Sequence, residues 1–143
     1  MKELFDVHCH MVPGVDDGAA DLEESLEMLK MQHEDGVRKI IITPHYRRRM
    51  FETPAKKVHE QFLKLQEAAK KEYPDMSLYL GCELHSNMDL QDILEKRKYV
   101  TMAGSSYVLL EFSEGDSAQH IRERVYNVLS SGYEPIIAHV ERY

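Results

Sequence analysis

Thiols are scarce: Cys9 and Cys82 are the only cysteines, too few for a disulfide framework and in keeping with a reducing compartment. No apolar run approaches the roughly 18 residues that cross a bilayer, and the first residues carry neither the basic segment nor the apolar stretch of a secretory signal. A cytoplasmic protein without direct membrane insertion is therefore expected. Positive charge is short as well. The 18 Lys and Arg face 25 Asp and Glu, and the net charge of −7 argues against nucleic acid as a partner, because phosphate backbones are held by positive surfaces. Repeats, linkers and low-complexity tracts are absent, and 143 residues suffice for a single domain with a sizeable core. The basic charge that does exist gathers at Arg47, Arg48 and Arg49, which suits a small or local anionic partner.

What the chain has is an alternation of two periods. Short β-branched or apolar runs are expected as strands over residues 4–9, 39–43, 78–83, 107–112 and 135–139. Between them, Leu22, Leu26, Leu29 and His33 share one helical face, with Asp21 and Glu24 as a capping pair and Gly36 as the stop. Val58, Phe62, Leu65 and Ala69 define a second helix that ends near Pro74. Leu90, Ile93 and Leu94 suggest a short third, and Ile121, Val125, Val128 and Leu129 a fourth closed by Gly132. The strand runs lack polar alternation, so they should be covered on both faces, as in a parallel α/β sheet or part of a barrel. In either architecture the active site gathers at the carboxyl ends of the strands.

Those ends carry one kind of chemistry. They read His8-Cys9-His10, Thr43-Pro44-His45, Gly81-Cys82-Glu83, Leu110-Glu111-Phe112 and Ala138-His139. A lone histidine at a strand end is usually only a hydrogen-bonded polar residue, but five successive ends with imidazole or carboxylate point to a shared site. Residues two apart face the same way, so His8 and His10 aim together while Cys9 aims away. Imidazoles and carboxylates without a convergent thiolate suit zinc, manganese or iron(II). Four histidines, two glutamates and one aspartate of the Asp16-Asp17 pair exceed the needs of one ion, so two or more ions bridged by a carboxylate such as Glu83 fit better. His33, His59 and His120 fall in helical patterns and are expected outside the site, whereas His85 could touch it or line it. Arg142, three residues after His139, offers a planar fork for a phosphate beside the ions, which points to phosphate ester hydrolysis. A cysteine phosphatase is excluded: Val15 follows Cys9, and Met88 follows Cys82, where that mechanism needs its arginine.

The stretches "DVHCHMVPGVDDG", "TPHYRRRMFETP", "GCELH", "LLEFS" and "IIAHVERY" resemble successive motifs of the PHP (polymerase and histidinol phosphatase) superfamily. More narrowly they resemble the bacterial manganese-dependent protein tyrosine phosphatases of capsule and exopolysaccharide loci, the CpsB type. The resemblance runs over essentially the whole chain. It implies a distorted TIM-like (β/α) barrel, and it implies metal ligands at His8, His10, Asp17, His45, Glu83, Glu111 and His139. It makes Arg142 the phosphate arginine and, with His139, a catalytic group, and leaves Arg47 and Arg48 to help hold the substrate. The implied cofactor is Mn2+, with iron or zinc as alternatives. The implied reaction is hydrolysis of phosphotyrosine on the tail of a tyrosine autokinase, which controls capsular or exopolysaccharide synthesis.

The family pattern continues beyond the position of Tyr143 into an Asp-x-His motif that supplies further ligands. Residues 1–143 are therefore expected to form a single PHP domain lacking the C-terminal part of the barrel, with about five parallel strands and fewer than the family's three ions. Open edges on the first and last strands would favour self-association. Two other readings stay open: a phosphatase of small phosphate esters such as histidinol phosphate, and an inactive domain that binds metal or the kinase tail.

Overall fold

The computed structural model describes residues 2–96 and 100–143. In chain order the elements are β1 (Leu4–Asp6), α1 (Leu22–Glu34), β2 (Val37–Ile42), β3 (His45–Tyr46), α2 (Ala55–Glu72) and β4 (Ser77–Leu80). They continue with β5 (Glu83–His85), α3 (Leu90–Lys96), β6 (Tyr107–Glu111), α4 (Ala118–Ser130) and β7 (Glu134–Ile137). Short 3-10 turns follow α3 and β7, at Met102–Gly104 and Val140–Arg142.

All strand pairings are parallel, as expected, but they form two sheets, ordered β1-β2-β4 and β3-β5-β6-β7. The second expected strand is β2, and Pro44, with no N–H to give, separates it from the additional short strand β3; the third expected strand is broken in two at Gly81-Cys82. Single bonds bridge the breaks, from Thr43 N–H to the Cys9 carbonyl (2.8 Å), Gly81 N–H to Ile42 (2.8 Å) and Glu83 N–H to Pro44 (3.0 Å). The two sheets thus make one curved wall of consecutive strands, the incomplete barrel foreseen in the sequence. Among the described residues, the outer edges of β1 and β7 have no ladder partner.

Helices cover one face of this wall. In α1, the Asp21 side chain accepts from Glu24 N–H while Glu24 accepts from Ala20 N–H, and Gly36 takes φ +92° just beyond the end. The apolar stripe of α2, Val58, Phe62, Leu65 and Ala69, packs with Leu29 of α1 on Ile40 and Ile42 of β2. A second core joins Leu84, Val108 and Leu110 to Ile93, Leu94 and Val128. The other face leaves Phe5, Tyr79 and Tyr107 exposed. Among the described residues, no helix is long and apolar enough to cross a membrane.

Candidate metal centre

The carboxyl ends of the strands meet around one carboxylate. Glu83, at the start of β5, is 1% exposed, and its Oε1 lies 3.0 Å from His8 Nε2, 3.2 Å from His10 Nε2 and 3.3 Å from His45 Nδ1. Its other oxygen lies 3.2 Å from His139 Nε2. Glu111, ending β6, approaches His45 Nδ1 at 3.4 Å and His139 Nε2 at 3.6 Å. Register explains the convergence, since His45 pairs with Glu83 across β3 and β5, and β6 follows next in the sheet.

Asp17 reaches His45 Nε2 at 3.5 Å from the rim, with its side chain 64% exposed. All seven residues expected as ligands therefore line one cavity of about 580 Å³, together with Arg47 and Arg142. Arg48 is exposed and does not line it. His85 stays out as well: its ring is buried, Nδ1 accepts from Asn87 N–H, and Nε2 sits 3.2 Å from the Ser113 hydroxyl. His33 lies 3.0 Å from Asp75 on the surface, and His120 is 3.4 Å from the Ser86 hydroxyl.

Asp16 plays a part that composition alone did not separate from that of Asp17. Its carboxylate is fully buried; Oδ1 accepts from Gly18 N–H (2.9 Å), while Oδ2 accepts from His45 N–H (3.0 Å) and lies 3.2 Å from His10 Nδ1. One carboxylate thus orients the His10 ring and ties it to the backbone of a second candidate ligand, the usual arrangement behind a metal-bound imidazole. Gly18 lets the loop close this tightly, for a Cβ there would fall 2.2 Å from the His10 carbonyl oxygen. The His10 and His45 rings stack at 4.3 Å.

Charge and burial are in tension here. Burial opposes ionisation of Glu83, but hydrogen bonds to His10 and His8 outweigh it and hold the carboxyl below its ordinary range. Burial likewise opposes the charged form of His10, yet Asp16 and Glu83 raise its pKa to about 9. Binding a cation and keeping that proton are alternatives.

The donor set suits divalent ions. His8, His10 and Glu83 form one group whose ligand atoms lie within 4.8 Å of one another, and His45, Glu83 and Glu111 form a second. Three buried atoms in these groups, His45 Nδ1, Glu83 Oε2 and Glu111 Oε2, make no well-aligned hydrogen bond and are held only by ion-pair contacts, His45 Nδ1 at 3.4 Å from Glu111 Oε2 and Glu83 Oε2 at 3.2 Å from His139 Nε2. His139 adopts φ +31°, a left-handed backbone that is strained for a side-chain-bearing residue. Tyr143 braces it: its hydroxyl accepts from Phe112 N–H (2.9 Å) and lies 3.0 Å from His139 Nδ1.

A parallel α/β wall of incomplete barrel form thus gathers imidazoles and buried carboxylates, a donor set suited to divalent ions, at one end. The chain belongs to the capsular polysaccharide synthesis CpsB/CapC family, whose profile matches residues 4–143. It is 41% identical over 140 residues to the tyrosine-protein phosphatase CpsB of Streptococcus pneumoniae, covering 98% of this chain and 58% of that protein. It is 31% identical over 139 residues to the tyrosine-protein phosphatase YwqE of Bacillus subtilis, covering 97% of this chain and 55% of that one. A solved structure from work on YwqE and CpsB, described there as unique metal-dependent tyrosine phosphatases, superposes with a TM-score of 0.86 at 31% identity, over 97% of this chain and 56% of its own. The chain spans little more than half the length of these relatives.

Proposed function

We propose that this chain carries the larger part of a manganese-dependent protein tyrosine phosphatase site. Its substrate is the phosphotyrosine tail of a bacterial tyrosine autokinase, met in the cytoplasm, and its role is in capsular or exopolysaccharide synthesis. The observation that supports this most directly is the pair of donor groups sharing buried Glu83, all of whose residues line one cavity.

His8, His10 and Glu83 would hold one ion and His45, Glu83 and Glu111 another, with Asp17 and His139 completing the shell. Bound divalent ions would lower the pKa of water and take up charge on the phosphoryl oxygens. The chain's own residues do the rest. Arg142 and Arg47, both on the cavity wall, present guanidinium groups to the phosphoryl oxygens. Asp16 keeps the His10 ring turned toward Glu83, and Tyr143 steadies His139 against its strained backbone. Self-association through the outer edges of β1 and β7 belongs to the same reading.

Hydrolysis of a phosphotyrosine peptide that requires Mn2+ and is lost in His139→Ala is the expected result. Faster turnover of histidinol phosphate would overturn the substrate assignment. The alternative reading is a domain that binds ions without turnover. Mn2+ binding with no hydrolysis of either ester would select it.

A further inference from the structure

The candidate ligands and arginines leave one stretch of the cavity wall unexplained. Among the described residues, Met50 and Phe51 are the apolar side chains on a wall otherwise made of imidazoles, carboxylates and guanidinium groups. They sit on a turn that closes on itself. Arg47 N–H donates to the Phe51 carbonyl and Phe51 N–H to the Arg47 carbonyl, both at 2.9 Å, and Arg49 takes φ +65° between them. The turn is also fixed to the site. The Phe51 ring stacks on His45 at 5.2 Å and 18°, and two residues on, the Thr53 hydroxyl donates to the Val15 carbonyl (2.8 Å), beside Asp16. Met50 stands at the rim of the charged cavity with 58% of its surface exposed, next to the Phe51 ring in the chain.

A second cavity of about 260 Å³ adjoins the first and shares Arg47, Glu111, His139 and Arg142 with it. A phosphoryl group held at those shared residues has two places for its ester substituent. On the second side stand Ser113 and Glu114, a hydroxyl and a carboxylate, with the rings of Phe112 and Tyr143, of which Phe112 is only 3% exposed and Tyr143 is packed edge-on against Phe112 and His139. On the first side stand Met50 and Phe51. An anionic substrate with a flat apolar substituent is favoured by the thioether and ring edge and disfavoured by the carboxylate.

We infer that the Arg47–Phe51 turn is an aryl subsite, with Met50 and Phe51 selecting aryl over alkyl phosphate esters. The inference rests on the phosphatase reading above and assigns its substrate preference to two side chains. The aryl ring packs against Met50 and the free edge of Phe51 while the phosphoryl group remains with the arginines and the ions.

The test is equilibrium binding, so turnover is not required. Phenylphosphonate and methylphosphonate are titrated by calorimetry into the Mn2+-loaded chain, its Met50→Ser variant and its Phe51→Leu variant. The expected result is a phenyl-to-methyl affinity ratio of roughly tenfold or more, falling severalfold toward one in Met50→Ser and less in Phe51→Leu. Met50 is exposed, so its substitution does not threaten the fold. A ratio near one in the unaltered chain, or one that stays constant while both affinities fall in parallel, would overturn the subsite. Failure of both phosphonates to bind the loaded chain would overturn the phosphoryl-binding reading and the subsite with it.

Discussion

Behind the sheets, Ile40 and Ile42 of β2 are sealed from water by Leu29 and Leu65. At the front of the same wall, Glu83 and the Asp16 carboxylate are sealed as completely, but among imidazoles. The two regions are buried by opposite chemistry. Removing apolar surface from water stabilises the layer between helices and sheets by about 25 cal/mol per Å². Burying carboxylates costs free energy, which at Glu83 the hydrogen bonds of His10 and His8 outweigh, so this region is held by its charge pairs rather than by apolar burial. The helix-covered layer thus makes the fold, and the strand ends gather a donor set suited to divalent ions.

Substitutions separate the two regions. Leu65→Ala, in the sealed layer, is expected to cost about 2–5 kcal/mol in urea unfolding while leaving the Mn2+ affinity of the folded chain within about twofold. A matching loss of affinity would mean that the regions are one unit. Glu83→Gln should do the reverse. It removes the carboxylate shared by both donor groups, and calorimetry should show affinity lower by about 100-fold, roughly 2.7 kcal/mol.

Asp16→Ala sharpens the boundary, because Asp16 is buried like a core residue yet bonded only to the site and its loop. An affinity loss of about 10–100-fold is expected, with the His10 ring nitrogen resonances shifted as Nδ1 loses its partner. Lost stability with unchanged ion affinity would instead place Asp16 with the core.

The sequence made most of this site legible because strand ends in parallel α/β folds converge whatever the closure of the sheet, and five of them carried ligand-type residues. The end of β2 was also written there, as a proline directly after the expected strand. Three features were not. An Asp-Asp pair does not say which carboxylate turns inward, although Asp16 followed two residues later by Gly18 is the spacing of a side chain that accepts its own loop's N–H. A run of three arginines does not say which lines the cavity; the closed turn brings in Arg47 and leaves Arg48 outside. Met50 and Phe51 were overlooked as part of a charged stretch, though two adjacent apolar residues there were themselves a signal.

The smallest expected effect lies closest to the ligands. Alternation along the wall puts Cys9 between His8 and His10, and Cys82 beside Glu83, with both thiols on the side of the apolar cores. Cys9 is half-buried and Cys82 fully so; burial, reinforced by Asp6 and Asp16 in the first case and by Glu83 and Asp16 in the second, pushes both thiols well above their ordinary range. Neither can supply a thiolate at neutral pH. Cys82→Ala should therefore cost about 1 kcal/mol in unfolding and change Mn2+ affinity by less than about twofold. Both thiols of the folded chain should also resist a disulfide reagent that labels them in urea. Rapid labelling of the folded chain, or an affinity that falls with Cys82, would move these residues from the core into the site, and the line between the two regions would no longer run between neighbours in the chain.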